Sequence, residues 1–266
     1  MRRMAPTGAL LVCLTGCVIT PMPMTTEPQR GDETPVSAEA ADSAESSAGV
    51  EPGVLKGRVV GTDGRPLRGA KIIADNQFLY NSNLIVPTDA DGRYRVETDV
   101  AATFRVTATM EVERDGVKYL LDLHPENDAS FAGPTGAIRD FTWKLTGEKP
   151  DGLGHYGGLV LFHLDSTDPQ DPEAYLEDEH VELMLTPESP LLDGSRGKVI
   201  TRRAIRTPDG PGLVDVPIAR YRISAAYAGR PLQVALRDQE EYAPELVADF
   251  SEYLSTVYWI RLDLKL

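Results

Sequence analysis

The feature that most constrains this chain is strict alternation from Val54 onward. Phe104, Val106, Ala108, Met110 and Val112 are separated by Arg105, Thr107, Thr109 and Glu111, so they share one face of a strand. Val117, Tyr119, Leu121 and Leu123 repeat the pattern, and Asp115-Gly116 between the two runs predicts a tight hairpin. Phe141, Trp143 and Leu145 make a third run. Further along come Val160, Phe162 and Leu164, then Val181, Leu183 and Leu185, then Tyr221, Ile223, Ala225 and Tyr227. Tyr258, Ile260, Leu262, Leu264 and Leu266 close the chain. A period of two with polar opposite faces describes antiparallel sheet with one side buried. No long 3.6-residue period competes with it. The runs are short and broken by Gly, Asp and Pro, so the expected fold is all-β: two tandem antiparallel β-sandwiches, residues 54–146 and 155–266. Thr146–Gly154 is the turn-rich joint. Arg220-Tyr221-Arg222-Ile223 echoes Arg93-Tyr94-Arg95-Val96, which predicts a second sandwich similar to the first. Pro187–Pro211 is left open between a long loop and strands.

The region before Val54 reads differently. Arg2 and Arg3 precede a short apolar core, Ala9–Leu14, too short for the ~20 residues of a membrane helix. It ends in Leu14-Thr15-Gly16-Cys17. This resembles the lipobox of bacterial lipoproteins. The resemblance implies a signal peptide over residues 1–16, cleavage by signal peptidase II, and a diacylglycerol on the thiol of Cys17. Acyl chains contribute ~0.8 kcal/mol per buried methylene, so two or three of them anchor firmly. Val18 follows the cysteine where an Asp would retain many Gram-negative lipoproteins at the inner membrane. The expected location is therefore the cell envelope, and the outer membrane if the organism has one. Residues 18–53 contain no aromatic, five prolines, seven acids and one base, Arg30. Such a stretch buries too little apolar surface to offset its ordering entropy. Residues 17–53 are expected to be a lipidated cysteine followed by a disordered acidic tether.

The segment Lys56–Ile72, with Asp63-Gly64 and Pro66 inside it, resembles the opening of carboxypeptidase regulatory-like domains. Thr88–Val96, with Asp91-Gly92, resembles their next landmark. Both Asp-Gly pairs suit tight turns, where Gly tolerates positive φ. The resemblance implies a transthyretin-like accessory sandwich and not the zinc peptidase itself.

Chemistry is sparse. With 27 basic and 41 acidic residues the net charge is 27 − 41 = −14, which argues against a nucleic-acid partner. Cys13 and Cys17 are the only cysteines, so the body carries no disulfide framework, cysteine zinc cluster or thiol nucleophile. There is no G-x-S-x-G, H-E-x-x-H or phosphate-loop signature. The four histidines, His124, His155, His163 and His180, are scattered. No catalytic residue, resident metal or cofactor is assigned. Asp89-Ala90-Asp91-Gly92 reads as a turn, not a calcium loop. Asp165–Glu182 hold eight acids and no Lys or Arg, expected to be a solvated acidic loop. If their strands pair, His163, Asp165, His180 and Glu182 could converge as a transition-metal set. Phe78, Tyr80, His155-Tyr156 and outward Trp259 are candidate sugar platforms. The expected role is non-catalytic binding or scaffolding, with the membrane as one partner and an unidentified protein or glycan as another. The alternatives are a carbohydrate-binding envelope protein, a metal-binding protein or metal-dependent enzyme, and a secretion or surface-assembly lipoprotein.

Overall fold

A computed structural model describes residues 49–266. The predicted signal peptide, Cys17 and nearly all of the predicted tether lie outside the described residues. Gly49–Leu266 form one compact unit. Its helical content among the described residues is limited to 3-10 turns.

The first half supplies β1 (Val54–Val60), β2 (Lys71–Asn76), β3 (Leu84–Pro87), β4 (Arg93–Glu97), β5 (Thr103–Arg114) and β6 (Val117–Asp122). Four two-residue strands follow: β7 (His124–Pro125), β8 (Phe131–Ala132), β9 (Ala137–Ile138) and β10 (Phe141–Thr142). They build two sheets, ordered β4-β1-β10-β7 and β3-β2-β5-β6. The second half supplies β11 (Gly158–Leu164), β12 (Thr167–Asp168), β13 (Asp171–Tyr175), β14 (Val181–Pro187), β15 (Ile200–Arg203), β16 (Ile205–Thr207) and β17 (Gly210–Val216). It ends with β18 (Tyr221–Tyr227), β19 (Arg230–Pro231), β20 (Gln233–Leu236), β21 (Glu245–Ala248), β22 (Ser251–Leu254) and β23 (Val257–Lys265). Its main sheets are β16-β17-β11-β23-β20 and β15-β14-β18-β19, with β12-β13 a separate hairpin. The chain is thus all-β, with each half a β-sandwich.

The two halves share a topology. In the first, β1 lies between antiparallel β4 and parallel β10. In the second, β11 lies between antiparallel β17 and parallel β23. The facing sheets run β3-β2-β5 and β15-β14-β18, antiparallel throughout. The Arg-Tyr-Arg echo does not mark this repeat. Tyr94 lies on β4, whose counterpart is β17, whereas Tyr221 lies on β18, the counterpart of β5. Alternation predicts faces and cannot predict the parallel pairing of first and last strands, whose paired residues are 82 positions apart in the first half (Val59 and Phe141) and 100 in the second (Leu159 and Trp259).

The faces follow the alternation. Asp115 and Gly116 have φ of 52° and 79° and close a two-residue hairpin with Arg114 opposite Val117. Phe104, Val106, Ala108, Tyr119, Leu121, Phe141 and Trp143 are buried in the first core, and Val160, Val181, Leu183, Leu185, Tyr221 and Ile223 in the second. Each large apolar side chain so buried contributes roughly 1.5–3 kcal/mol. Val117, at the hairpin end, is exposed instead. Asp89 also forms the predicted turn, its Oδ1 accepting from the N–H groups of Asp91 and Arg93. Pro187–Pro211 divides: a loop buries Leu191 and Leu192, and β15, β16 and the start of β17 follow.

Candidate functional site

The four metal candidates are not brought together. β11, which carries His163, is bonded to β17 and β23, whereas β14, which carries Glu182, is bonded to β15 and β18. The two strands belong to opposite sheets, so residues facing outward from each point away from one another. Asp165, His180 and Glu182 are exposed, as is His163. His180 instead sits 3.4 Å from the Tyr227 hydroxyl and 3.7 Å from Glu177. Among the described residues no group of three or more His, Cys, Asp or Glu is placed to hold a metal ion.

The acidic run is not simply a solvated loop. Arg230 grips Asp168 with two nitrogens, at 2.5 and 3.2 Å, and the Asp168 side chain is buried. That guanidinium, with the Gln170 N–H, holds the Asp168 carboxyl below the usual aspartate range. Arg206 donates to Glu179 at 2.6 Å and lies 3.9 Å from Asp178. Two distant arginines thus neutralise Asp168, Asp178 and Glu179 within the run.

The aromatic candidates separate into three kinds. Tyr156 is buried, its hydroxyl 3.0 Å from His124 Nδ1. Burial raises the Tyr156 pKa and lowers that of His124, which also faces Lys144. Trp259 is on the outward side of β23 but is covered: Tyr253 stacks on it at 3.7 Å, and the Arg261 guanidinium lies 4.7 Å from its ring centroid. Only Phe78 and Tyr80 stand free in solvent.

The densest polar constellation is one that alternation did not reveal, at the joint between the halves. Lys149 is almost wholly buried, and its ammonium donates to Asp122 Oδ2 at 2.6 Å. Thr256 Oγ1 donates to the same oxygen at 2.7 Å. The Lys149 ammonium also lies 5.8 Å from the Tyr156 ring centroid. Asp215 accepts from the N–H of Gly147 through both oxygens, at 2.9 and 2.8 Å, and from that of Gly157 at 3.1 Å. Gly157 is required there, because a Cβ would come within 2.7 Å of the Asp215 backbone. Arg114 reaches the carbonyls of Leu191 and Leu192, and Thr62 donates to Asp193 at 2.7 Å. The joint carries a small, partly open pocket of about 10 Å³ lined by Trp143, Lys149, Tyr156 and Ile218 among others, room for about one water. One sequence signal was present: an Asp inside the apolar run Leu213-Val214-Asp215-Val216.

No family model matches this chain, and no curated protein matches it. Solved structures that resemble it include the Bacillus anthracis TIE protein, at 12% identity and a TM-score of 0.32 over 80% of this chain and 34% of that one. A streptococcal ancillary pilin matches at 13% identity and 0.24 over 78% of this chain and 61% of that one. A C-terminal fragment of the pilus adhesin SpaC from Lactobacillus rhamnosus GG matches at 8% identity and 0.25, over 81% and 97%. The chain spans about a third of the length of the first and about three-fifths of the second. Likeness at this level assigns no activity or partner to the chain.

Proposed function

We propose that this chain is a lipid-anchored envelope protein whose two sandwiches act as one rigid, non-catalytic binding or scaffolding unit. The observation that carries the reading is the joint. Tyr258, Arg114, Thr62 and Thr256 bond directly from one sandwich to the other, Asp215 and Lys149 fasten the connecting segment to the second and the first, and buried side chains of both halves form one continuous cluster. A unit built this way holds its outer surfaces at fixed relative positions, which suits presentation of a partner more than turnover of a substrate. The charge balance leaves nucleic acid out, and the partner is a protein or a glycan. Residues 54–146 are read as a carboxypeptidase regulatory-like module, supported by the Asp63-Gly64 and Asp91-Gly92 turns, where the glycines have φ of 77° and 69°. Residues 155–266 are read as its topological repeat. The anchor is Cys17, reached through the acidic segment 18–53, with the outer membrane as destination in a Gram-negative organism.

The deciding experiment is metabolic labelling with a palmitate analogue, followed by membrane fractionation. The native chain is expected in the membrane fraction with label, and Cys17→Ser unlabelled and unprocessed. An unlabelled native chain with a free amino terminus elsewhere would sink the anchor.

A further inference from the structure

One edge of the first sandwich differs in chemistry from the rest of the molecule. Asn76 through Thr88 contain no charged residue, in a chain that is 26% charged with a net charge of −14. This segment holds the end of β2, a turn, and β3, the edge strand of its sheet. At the turn Phe78, Leu79 and Tyr80 are 70%, 61% and 102% exposed, and Ile85 on β3 is 60% exposed. Three consecutive large apolar side chains in water are unfavourable unless something covers them.

The tip is ordered. The Asn76 side chain is buried beneath it, and its Oδ1 accepts from the N–H groups of Phe78 at 3.0 Å and Leu79 at 3.2 Å. Gln77 N–H donates to the Thr103 carbonyl at 2.9 Å. Holding the tip in advance lowers the entropy lost when a partner covers it. The adjoining strand offers backbone groups as well. Thr88 N–H donates to the Ala70 carbonyl. By alternation Val86 and Leu84 also turn their peptide groups toward β2, and Ile85 turns its N–H and C=O to the open edge. Pro87 lacks an N–H, so the open ladder lies at the Ile85 end, beside the tip.

We infer that this neutral edge is a self-association surface, where β3 of one copy pairs antiparallel with β3 of a second about a two-fold axis. Ile85 then lies opposite Ile85, and each Phe78-Leu79-Tyr80 tip packs on its partner's edge. A two-fold contact needs a surface complementary to itself, which an uncharged apolar strand is. Two copies that each carry −14 repel one another, and an uncharged segment adds nothing to that repulsion. A bilayer is the poorer occupant, since the segment has no Lys or Arg to meet anionic headgroups. The two rings alone would bury on the order of 350 Å² per copy. A standard interface takes ~800 Å² per partner, so the dimer is a reversible one. This inference does not depend on the lipid anchor.

The test uses the full chain with Cys13 and Cys17 replaced by serine, which removes both thiols and any lipid-driven clustering. Sedimentation over micromolar to submillimolar concentrations should show a reversible monomer–dimer equilibrium. Phe78→Ser with Tyr80→Ser, and separately Ile85→Lys, should each raise the dissociation constant at least tenfold with the circular dichroism spectrum unchanged. Ile85→Cys in the same background should form a disulfide-linked dimer under mild oxidation. A monomer at every concentration, a dimer indifferent to both surface variants, or an Ile85→Cys chain that does not cross-link would each overturn the inference.

Discussion

The Tyr258 hydroxyl lies on the peptide edge of Leu120: the Leu120 N–H donates to it at 2.6 Å, and it donates to the Leu120 carbonyl at 3.3 Å. Leu120 belongs to β6, an edge strand of the first sandwich. The second sandwich thus covers an edge that would otherwise be open to strand addition. Tyr258→Phe keeps the ring, which packs 5.1 Å from that of Tyr119, and leaves two peptide groups without their partner. The expected loss is about 1–3 kcal/mol in urea melts of the full chain. Both halves should still unfold in one transition, read by Trp143 and Trp259 fluorescence together; an unchanged midpoint would show that water replaces the hydroxyl without penalty.

Asp215 tests the joint from the other side. It has a φ of 58°, a conformation Asn tolerates and Ala resists. Asp215→Asn keeps an acceptor oxygen for Gly147 and Gly157 and should cost about 1 kcal/mol or less. Asp215→Ala loses both bonds to a charged acceptor, about 1.5–3 kcal/mol, and adds left-handed strain. Denaturant melts that rank the two variants the other way round would remove Asp215 from the clamp.

Much of the sandwich build is legible in residues such as Val106, Leu183 and Ile260, because a strand with one wet face must alternate. What alternation cannot encode is which sheet a strand joins. His163 and Glu182 both lie on the wet side of their strands, beside buried Phe162 and Leu183, yet they face away from each other because β11 and β14 lie in opposite sheets. Leu161 and Ala235 have the outward phase and are nonetheless buried, since the outer side of that sheet is partly covered. The partners of the acidic run were hidden for a related reason: Arg230 is 62 residues from Asp168. The joint is the least legible, because Lys149 sits in a turn-rich segment and only tertiary packing buries its side chain beside Asp122, where Thr256 also bonds.

Trp143 and Trp259 should separate clearly in stability. Trp143 alternates with Phe141 and Leu145 and is 8% exposed, in the first core. Trp143→Ala is expected to cost about 3–5 kcal/mol. Trp259 is half-buried and its ring contacts are Tyr253 and Arg261 on the outer face. Trp259→Ala forfeits that stack and should cost about 1–2 kcal/mol. Urea midpoints of the two variants check the assignment; a larger loss at Trp259 would contradict the stated phase of β23.

The Asp168–Arg230 pair predicts the acid limb of stability. Arg230 lowers the Asp168 pKa in the folded chain below its ordinary value of 3.8. In the unfolded chain the carboxyl titrates near that ordinary value, so on acidification the unfolded state takes up the proton first. The stabilisation is therefore fully present above about pH 5 and is lost as pH falls below 3.8. Asp168→Asn removes the titrating group and leaves Arg230 without its carboxylate. The variant should be less stable than the native chain at pH 7, and the gap should narrow as pH falls below 3.8, where the carboxyl of the unfolded chain takes up its proton before that of the folded chain. Urea melts of both chains at pH 7, 5, 3 and 2 supply the comparison. A gap that stays constant across that range would mean that the pair contributes packing alone and no charge-dependent stability.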